Sequence, residues 1–118
     1  CWMNFIIEGD HYYDESDFKK ASGCYNSLLA EYPENIWGYL RMAELAFDHS
    51  PEQALVFFKK ASDIVPSYYG TWLRIAQIQL LNKNIAEAKS AIGQAMKLNP
   101  FEPEIKMFAD KISKHNKS

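Results

Sequence analysis

Cysteine is scarce in this sequence. Cys1 and Cys24 are the only two, too few for a disulfide framework and in no zinc-ligand spacing. Net charge is nearly absent as well: 13 Lys and Arg against 15 Asp and Glu leave −2. With no basic excess to neutralise phosphates, nucleic acid is not expected as a partner. No apolar run nears the ~20 residues that span a bilayer, so no transmembrane segment is expected. There is no glycine-rich phosphate loop and no nucleophile motif. The three histidines, His11, His49 and His115, lie far apart, each on or near a turn or the tail. Catalysis, a bound metal and a cofactor are therefore not expected.

The low cysteine usage fits a reducing compartment, and a cytoplasmic location is the expectation. The chain does not begin with Met and reads as a piece of a longer protein. A cysteine at the first position leaves open a bacterial lipoprotein or a membrane-tethered periplasmic domain. Against that, Trp2, Met3, Phe5 and Ile6 follow at once, with no polar tether.

What the sequence does have is 47% apolar residues in 118, enough for one core without staples. It also has a rhythm. Pro33, Pro66 and Pro100 stand 33 and 34 residues apart, a period that signals stacked repeats. Twelve residues before each proline is alanine: Ala21, Ala54, Ala88. Eight before is a large residue, Tyr25, Phe58 or Ile92; five before is Leu28, Ala61 or Ala95. Spacings of four and three put each trio on one helical face, and the small residues admit a close neighbour. Six residues past Pro33 and Pro66 stand Tyr39 and Trp72. They are followed by Met42 and Ala43, and by Ile75 and Ala76; Phe5, Gly9 and Tyr12 fill the matching places of the first repeat. An aromatic, an apolar and a small residue at this spacing describe the buried seam of a preceding helix, so Tyr39 and Trp72 are expected in the core.

The pattern resembles the tetratricopeptide repeat (TPR), W-x2-L-G-x2-Y, then A-x3-F, then P over 34 residues. It runs through Phe5, Glu8, Gly9, Tyr12, Ala21, Tyr25 and Pro33 in the first repeat. It continues through Tyr39, Met42, Ala43, Ala54, Phe58 and Pro66, and then Trp72, Ile75, Ala76, Ala88, Ile92 and Pro100. Three copies in phase cover almost the whole chain. The resemblance implies an all-α fold, a right-handed superhelix of three helix-turn-helix repeats with a C-terminal capping helix. The expected divisions are repeats at 2–35, 36–68 and 69–102, a capping helix at 103–114 and a frayed tail at 115–118.

The sequence departs from the pattern at Glu8, where an apolar residue is usual, and at Ala46 and Gln79, which replace a tyrosine. The second repeat is one residue short, in the turn between its helices. There Ser50 is expected to N-cap, Pro51 to take the first helical position, and Gln53 to complete a capping box. In the third repeat Asn82 and Asn84 flank Lys83, and asparagine suits the left-handed conformation of such a turn. Past Pro100, Ile105, Phe108, Ala109 and Ile112 form one apolar stripe, while Lys106, Asp110, Lys111 and Lys114 face elsewhere. A helix of that kind closes a stack and solvates its end.

In the family the first helices of stacked repeats line a concave groove that binds extended or helical peptides. The resemblance places Ile6, Asp10 and Tyr13 there from the first repeat, Trp37, Leu40, Arg41 and Glu44 from the second, and Leu73, Arg74 and Gln77 from the third. Trp37 stands four past its proline, where the third repeat has only Gly70. A subclass of the family clamps the C-terminal carboxylate of heat-shock chaperones with Lys, Asn, Asn, Lys and Arg. The matching positions here are Ile6, Asp10, Arg41, Gly70 and Arg74. Only Arg74 keeps its type and Asp10 repels a carboxylate, so a heat-shock tail is not the expected ligand. The expected function is a protein–protein interaction module with an apolar concave groove, in which Arg41 and Arg74 meet an acidic residue of the ligand. The alternatives are a structural spacer in a larger, membrane-tethered protein, and a chaperone-like binder of hydrophobic segments.

Overall fold

The structure, a computed structural model, describes residues 1–116. Its elements are seven α-helices, and no strand occurs among the described residues. They group into two compact units, one ending at Ile64 and one beginning at Val65. The first holds α1 (Trp2–Asp14), α2 (Phe18–Glu31), α3 (Ile36–Phe47) and α4 (Pro51–Ile64). Within it α1 pairs with α2 and α3 with α4, and α2 packs on α3. The second holds α5 (Tyr69–Leu81), α6 (Ile85–Leu98) and α7 (Pro103–Asn116). There α5 pairs with α6, and α7 packs on both. Three helical hairpins and a closing helix are the arrangement that the proline rhythm implies.

The nine positions counted back from the prolines form the cores. Ala21, Tyr25, Leu28, Ala54, Phe58, Ala61, Ala88, Ile92 and Ala95 are all buried. Each large side chain so covered contributes about 1.5–3 kcal/mol, and the alanines let the neighbouring helix approach. On α7, Ile105 and Ile112 are buried, and Lys106, Asp110, Lys111 and Lys114 are exposed. That helix runs to Asn116, two residues beyond the expected end at 114. Lys117 and Ser118 lie outside the described residues.

Two expectations about the seam change. Tyr39 and Trp72 are only half-buried. Their polar tips explain why: the Tyr39 hydroxyl donates to the Pro33 carbonyl at 3.0 Å, and the Trp72 indole N–H to the Pro66 carbonyl at 2.8 Å. Each ring therefore stays at the rim, where its tip finds an acceptor. The buried places go to the next residues, Leu40 and Leu73, at 7% and 6% exposure. Each lies three residues before the fully buried Ala43 or Ala76, and so on the same stripe.

The turns also resolve. Ser16 and Lys83 each adopt φ 62°, and the asparagines beside Lys83 do not. In these two repeats a backbone bond closes across the left-handed residue, Asp17 N–H to Tyr12 O and Asn84 N–H to Gln79 O, both at 2.8 Å. The Asn84 side-chain amide instead donates to the Gln79 side chain at 3.0 Å, so the polar residue in the tyrosine place holds the turn. The second repeat has no such residue. Its Ser50 N–H returns to Ala46 O at 2.7 Å, and α3 has 12 residues where α1 and α5 have 13. Ser50 does cap α4, accepting from the Gln53 N–H at 3.3 Å. The return arm of a capping box is not made, because Ala46 O already takes the Ser50 N–H.

Candidate functional site

Four of the expected binding residues come together in the first unit. Asp10, Tyr13, Arg41 and Glu44, with Asp14 and Tyr25, line a cleft of about 380 Å³. Helical spacing explains the set. Asp10, Tyr13 and Asp14 lie on one face of α1, and Arg41 and Glu44 on one face of α3. Gly38 belongs to α3's close contact with α2: a Cβ there would lie 2.6 Å from Leu29 Cδ2.

A polar network crosses the cleft. Arg41 grips Asp10 with two bonds, Nε to Oδ1 at 2.9 Å and Nη2 to Oδ2 at 3.3 Å. The Tyr25 hydroxyl donates to the same Oδ1. Burial, reinforced by the Asp10 carboxylate that accepts its proton, pushes the Tyr25 phenol well above its ordinary value. Tyr25 thus serves two roles, its ring in the core and its hydroxyl on the cleft wall. Asp10 and Arg41 keep 40% and 34% of their side chains exposed, so the pair sits at the surface of the cleft.

Sequence reasoning did not single out Asp14, nor Tyr25 as a cleft residue. A signal existed for Tyr25: the matching places hold Phe58 and Ile92, and only a tyrosine brings into the core a hydroxyl that needs a partner. Arg41 was expected to meet a ligand's acidic group. The structure gives its guanidinium to Asp10 instead, because the two lie opposite each other on α1 and α3.

The other expected residues are placed differently. Ile6 is half-buried, one turn before Asp10. Trp37 keeps 38% of its surface exposed, one turn before Arg41 on the same face of α3. Leu40 and Leu73 are buried in the cores and offer no surface for an apolar groove. In the second unit Arg74 donates to Gln77 at 3.0 Å along α5.

Among the described residues, no three His, Cys, Asp or Glu side chains are grouped to hold a metal ion. The Cys24 thiol is pushed above its ordinary value by burial and by the Glu8 charge, which disfavours the reactive thiolate. No described helix is long and apolar enough to cross a membrane.

Helical hairpins at a 33–34-residue period, with alanine and a large residue on each buried face, define a helical-repeat protein. The tetratricopeptide-repeat family model matches residues 48–112, and the chain belongs to that family. No curated protein matches the sequence. Among solved structures, the first TPR of Spaghetti (RPAP3) bound to the HSP90 peptide SRMEEVD superposes with a TM-score of 0.90 at 20% identity, over 99% of this chain and 94% of that one. The TPR2B domain of yeast Sti1 in complex with pHsp70 gives 0.84 at 24% identity, over 97% of each chain. The type III secretion chaperone SycD of Yersinia enterocolitica, in complex with a peptide of the translocator YopD, gives 0.79 at 15% identity, over 95% of this chain and 86% of that one. The fold is thus all-α and of the TPR class. This family and these neighbours are non-enzymatic interaction modules.

Proposed function

We propose that this chain is a non-enzymatic protein–protein interaction module that takes a peptide or helix of a partner against α1 and α3. The observation that carries this is the cleft between Asp10, Tyr13, Arg41 and Glu44, with the exposed Trp37 ring one turn away on α3. Tryptophan, tyrosine and arginine dominate binding hot spots, and a concave site with a few polar groups fixes a ligand's orientation. Family membership supports the reading, as do three neighbours solved with partner peptides.

A heat-shock tail such as SRMEEVD is a poor match. Its acidic residues need cations, and Asp10 already occupies Arg41. SycD, solved with a peptide of the translocator YopD, is a structural neighbour whose bound peptide is not a heat-shock tail.

Affinity capture with the chain and its Trp37→Ala variant side by side tests the proposal. Partner recovery is expected to fall sharply while the melting temperature stays within a few degrees. Equal recovery by both proteins would remove Trp37 from the site, and a collapse in melting temperature would make it a core residue.

A further inference from the structure

We propose that a second cleft, on the side of the first unit where α2, α3 and α4 meet, takes an aromatic side chain, Phe or Tyr, of a partner. The proposal goes beyond the reading above and does not depend on it, because this cleft shares no lining residue with the one between α1 and α3.

An aromatic occupant is indicated by the repeat itself. Tyr12, Ala46 and Gln79 stand at one place of the pattern, three residues past Gly9, Ala43 and Ala76. In the first repeat a tyrosine ring occupies that place beside α2, with Lys20 Nζ 5.5 Å from its centroid and Cys24 lining the same hollow. In the third, Gln79 is buried and tied to Asn84 at 3.0 Å. In the second, Ala46 supplies only a methyl group. Gln53 and Phe57 are the counterparts there of Lys20 and Cys24, one residue before and three after the repeat's alanine. With Met42, Leu45 and Ala46 of α3 and Phe18 of α2, they line a cleft of about 370 Å³. The hollow thus lies where the first repeat carries a tyrosine ring. Phe57 stands at its wall, half-buried, and leaves it open.

The lining suits a neutral ring. No charged residue lines this cleft, in contrast to Asp10, Asp14, Arg41 and Glu44 of the other, so a charged side chain would lose hydration there without gaining a partner. Phe18 and Phe57 offer ring surfaces, and aromatic pairs gain from offset or edge-on contact beyond their burial. The Met42 thioether adds a favourable sulfur–ring contact. Phe18 is 43% exposed, but Tyr13 and His49 hold its ring edge-on, with centroids at 5.4 and 6.4 Å. That wall is therefore preformed, which lowers the ordering cost of binding. The volume lies at the lower end of ligand pockets and matches one aromatic side chain with its flanking backbone, not a whole helix.

Titration of the isotope-labelled chain with neutral pentapeptides, followed by amide NMR shifts, tests this. The peptides are acetyl-Gly-Gly-Xaa-Gly-Gly-amide with Phe, Leu or Ala as Xaa. The Phe peptide is expected to shift the amides of Met42, Leu45, Ala46 and Gln53, the Leu peptide to bind several-fold more weakly, and the Ala peptide not to bind. Ala46→Tyr restores the missing ring. It should raise the urea midpoint and abolish these shifts, with helix content unchanged by circular dichroism. Ala46→Leu, a smaller filler, should raise the midpoint less and weaken binding several-fold. No shifts from the Phe peptide, or equal binding of the Phe and Leu peptides, would overturn the proposal. Shifts undiminished in Ala46→Tyr would place the ring elsewhere and overturn it as well. Lowered midpoints for both Ala46 variants would mean that Phe57 already fills the place, with the same result. Binding of free phenol by a chain that ignores the Phe peptide would overturn a partner's side chain as the source of the ring.

Discussion

The indole N–H of Trp72 reaches back six residues to the carbonyl oxygen of Pro66 at 2.8 Å, and Tyr39 does the same to Pro33 at 3.0 Å. The proline ends one repeat, and the aromatic ring that opens the next hydrogen-bonds to it. The aromatic place of the repeat is thus a cap on the turn as well as a patch of the seam. Trp72→Phe should cost about 0.5–1.5 kcal/mol, the net worth of one hydrogen bond, and Tyr39→Phe should cost the same. Trp72→Ala should cost less than the ~3–5 kcal/mol of a fully buried aromatic. Urea unfolding of the three variants checks both statements.

Two glycines separate steric need from mere tolerance. A Cβ at Gly9 would lie 2.4 Å from Tyr25 Cε1, and that ring cannot retreat because its hydroxyl is held by Asp10. Gly9→Ala is expected to cost about 1–3 kcal/mol, as overpacking does. Gly23, exposed inside α2, has nothing within 4 Å of its would-be Cβ. Gly23→Ala should therefore stabilise the protein by about 0.5–1 kcal/mol, by lowering the entropy of the unfolded chain. Opposite shifts in the urea midpoint of the two variants are the test.

The Asp10 network should show coupling. Asp10→Ala removes the acceptor of both Tyr25 and Arg41, whereas Asp10→Asn keeps an acceptor for Tyr25. The alanine variant should be the less stable of the two. A double-mutant cycle of Asp10→Ala with Tyr25→Phe is expected to give a coupling energy on the order of 1 kcal/mol. Additive losses would mean that the Tyr25 bond contributes nothing.

Alkaline pH should expose Tyr25 selectively. Its phenol is held protonated in the folded state, first by burial and then by the bond to Asp10. The unfolded chain ionises this tyrosine near pH 10 and the folded chain only above that. The unfolded state therefore binds fewer protons from about pH 10 upward, and stability falls as pH rises. Below pH 10 the contribution is fully present. Tyr25→Phe should flatten this alkaline limb in stability curves taken between pH 8 and 11.

The repeat register was legible in the sequence because its physics is local. Three prolines, and alanine at a fixed distance before each, set the helix phase and the buried faces, and all nine counted positions are buried. Ser50 as a cap was equally legible, because a hydroxyl three residues before an amide has one obvious partner. The left-handed residues were not: Ser16 and Lys83 adopt φ 62° because of where their turns must close, and their own side chains do not demand it.

The candidate site divides in the same way. The resemblance to the repeat family put Asp10 and Tyr13 on the groove face of one helix and Arg41 and Glu44 on that of another. It could not show that Asp10 and Arg41, 31 residues apart in sequence, are close enough to bind each other. Nor could it show that the Tyr25 hydroxyl comes through the core to join them. The sequence by itself determined the helices, their buried faces and the family. Only the tertiary structure decided that Leu40 and Leu73 go inward and that Arg41 belongs to Asp10. The reason is physical: helical phase is a property of neighbours in the chain, whereas the partner of a charge is fixed by how the helices pack.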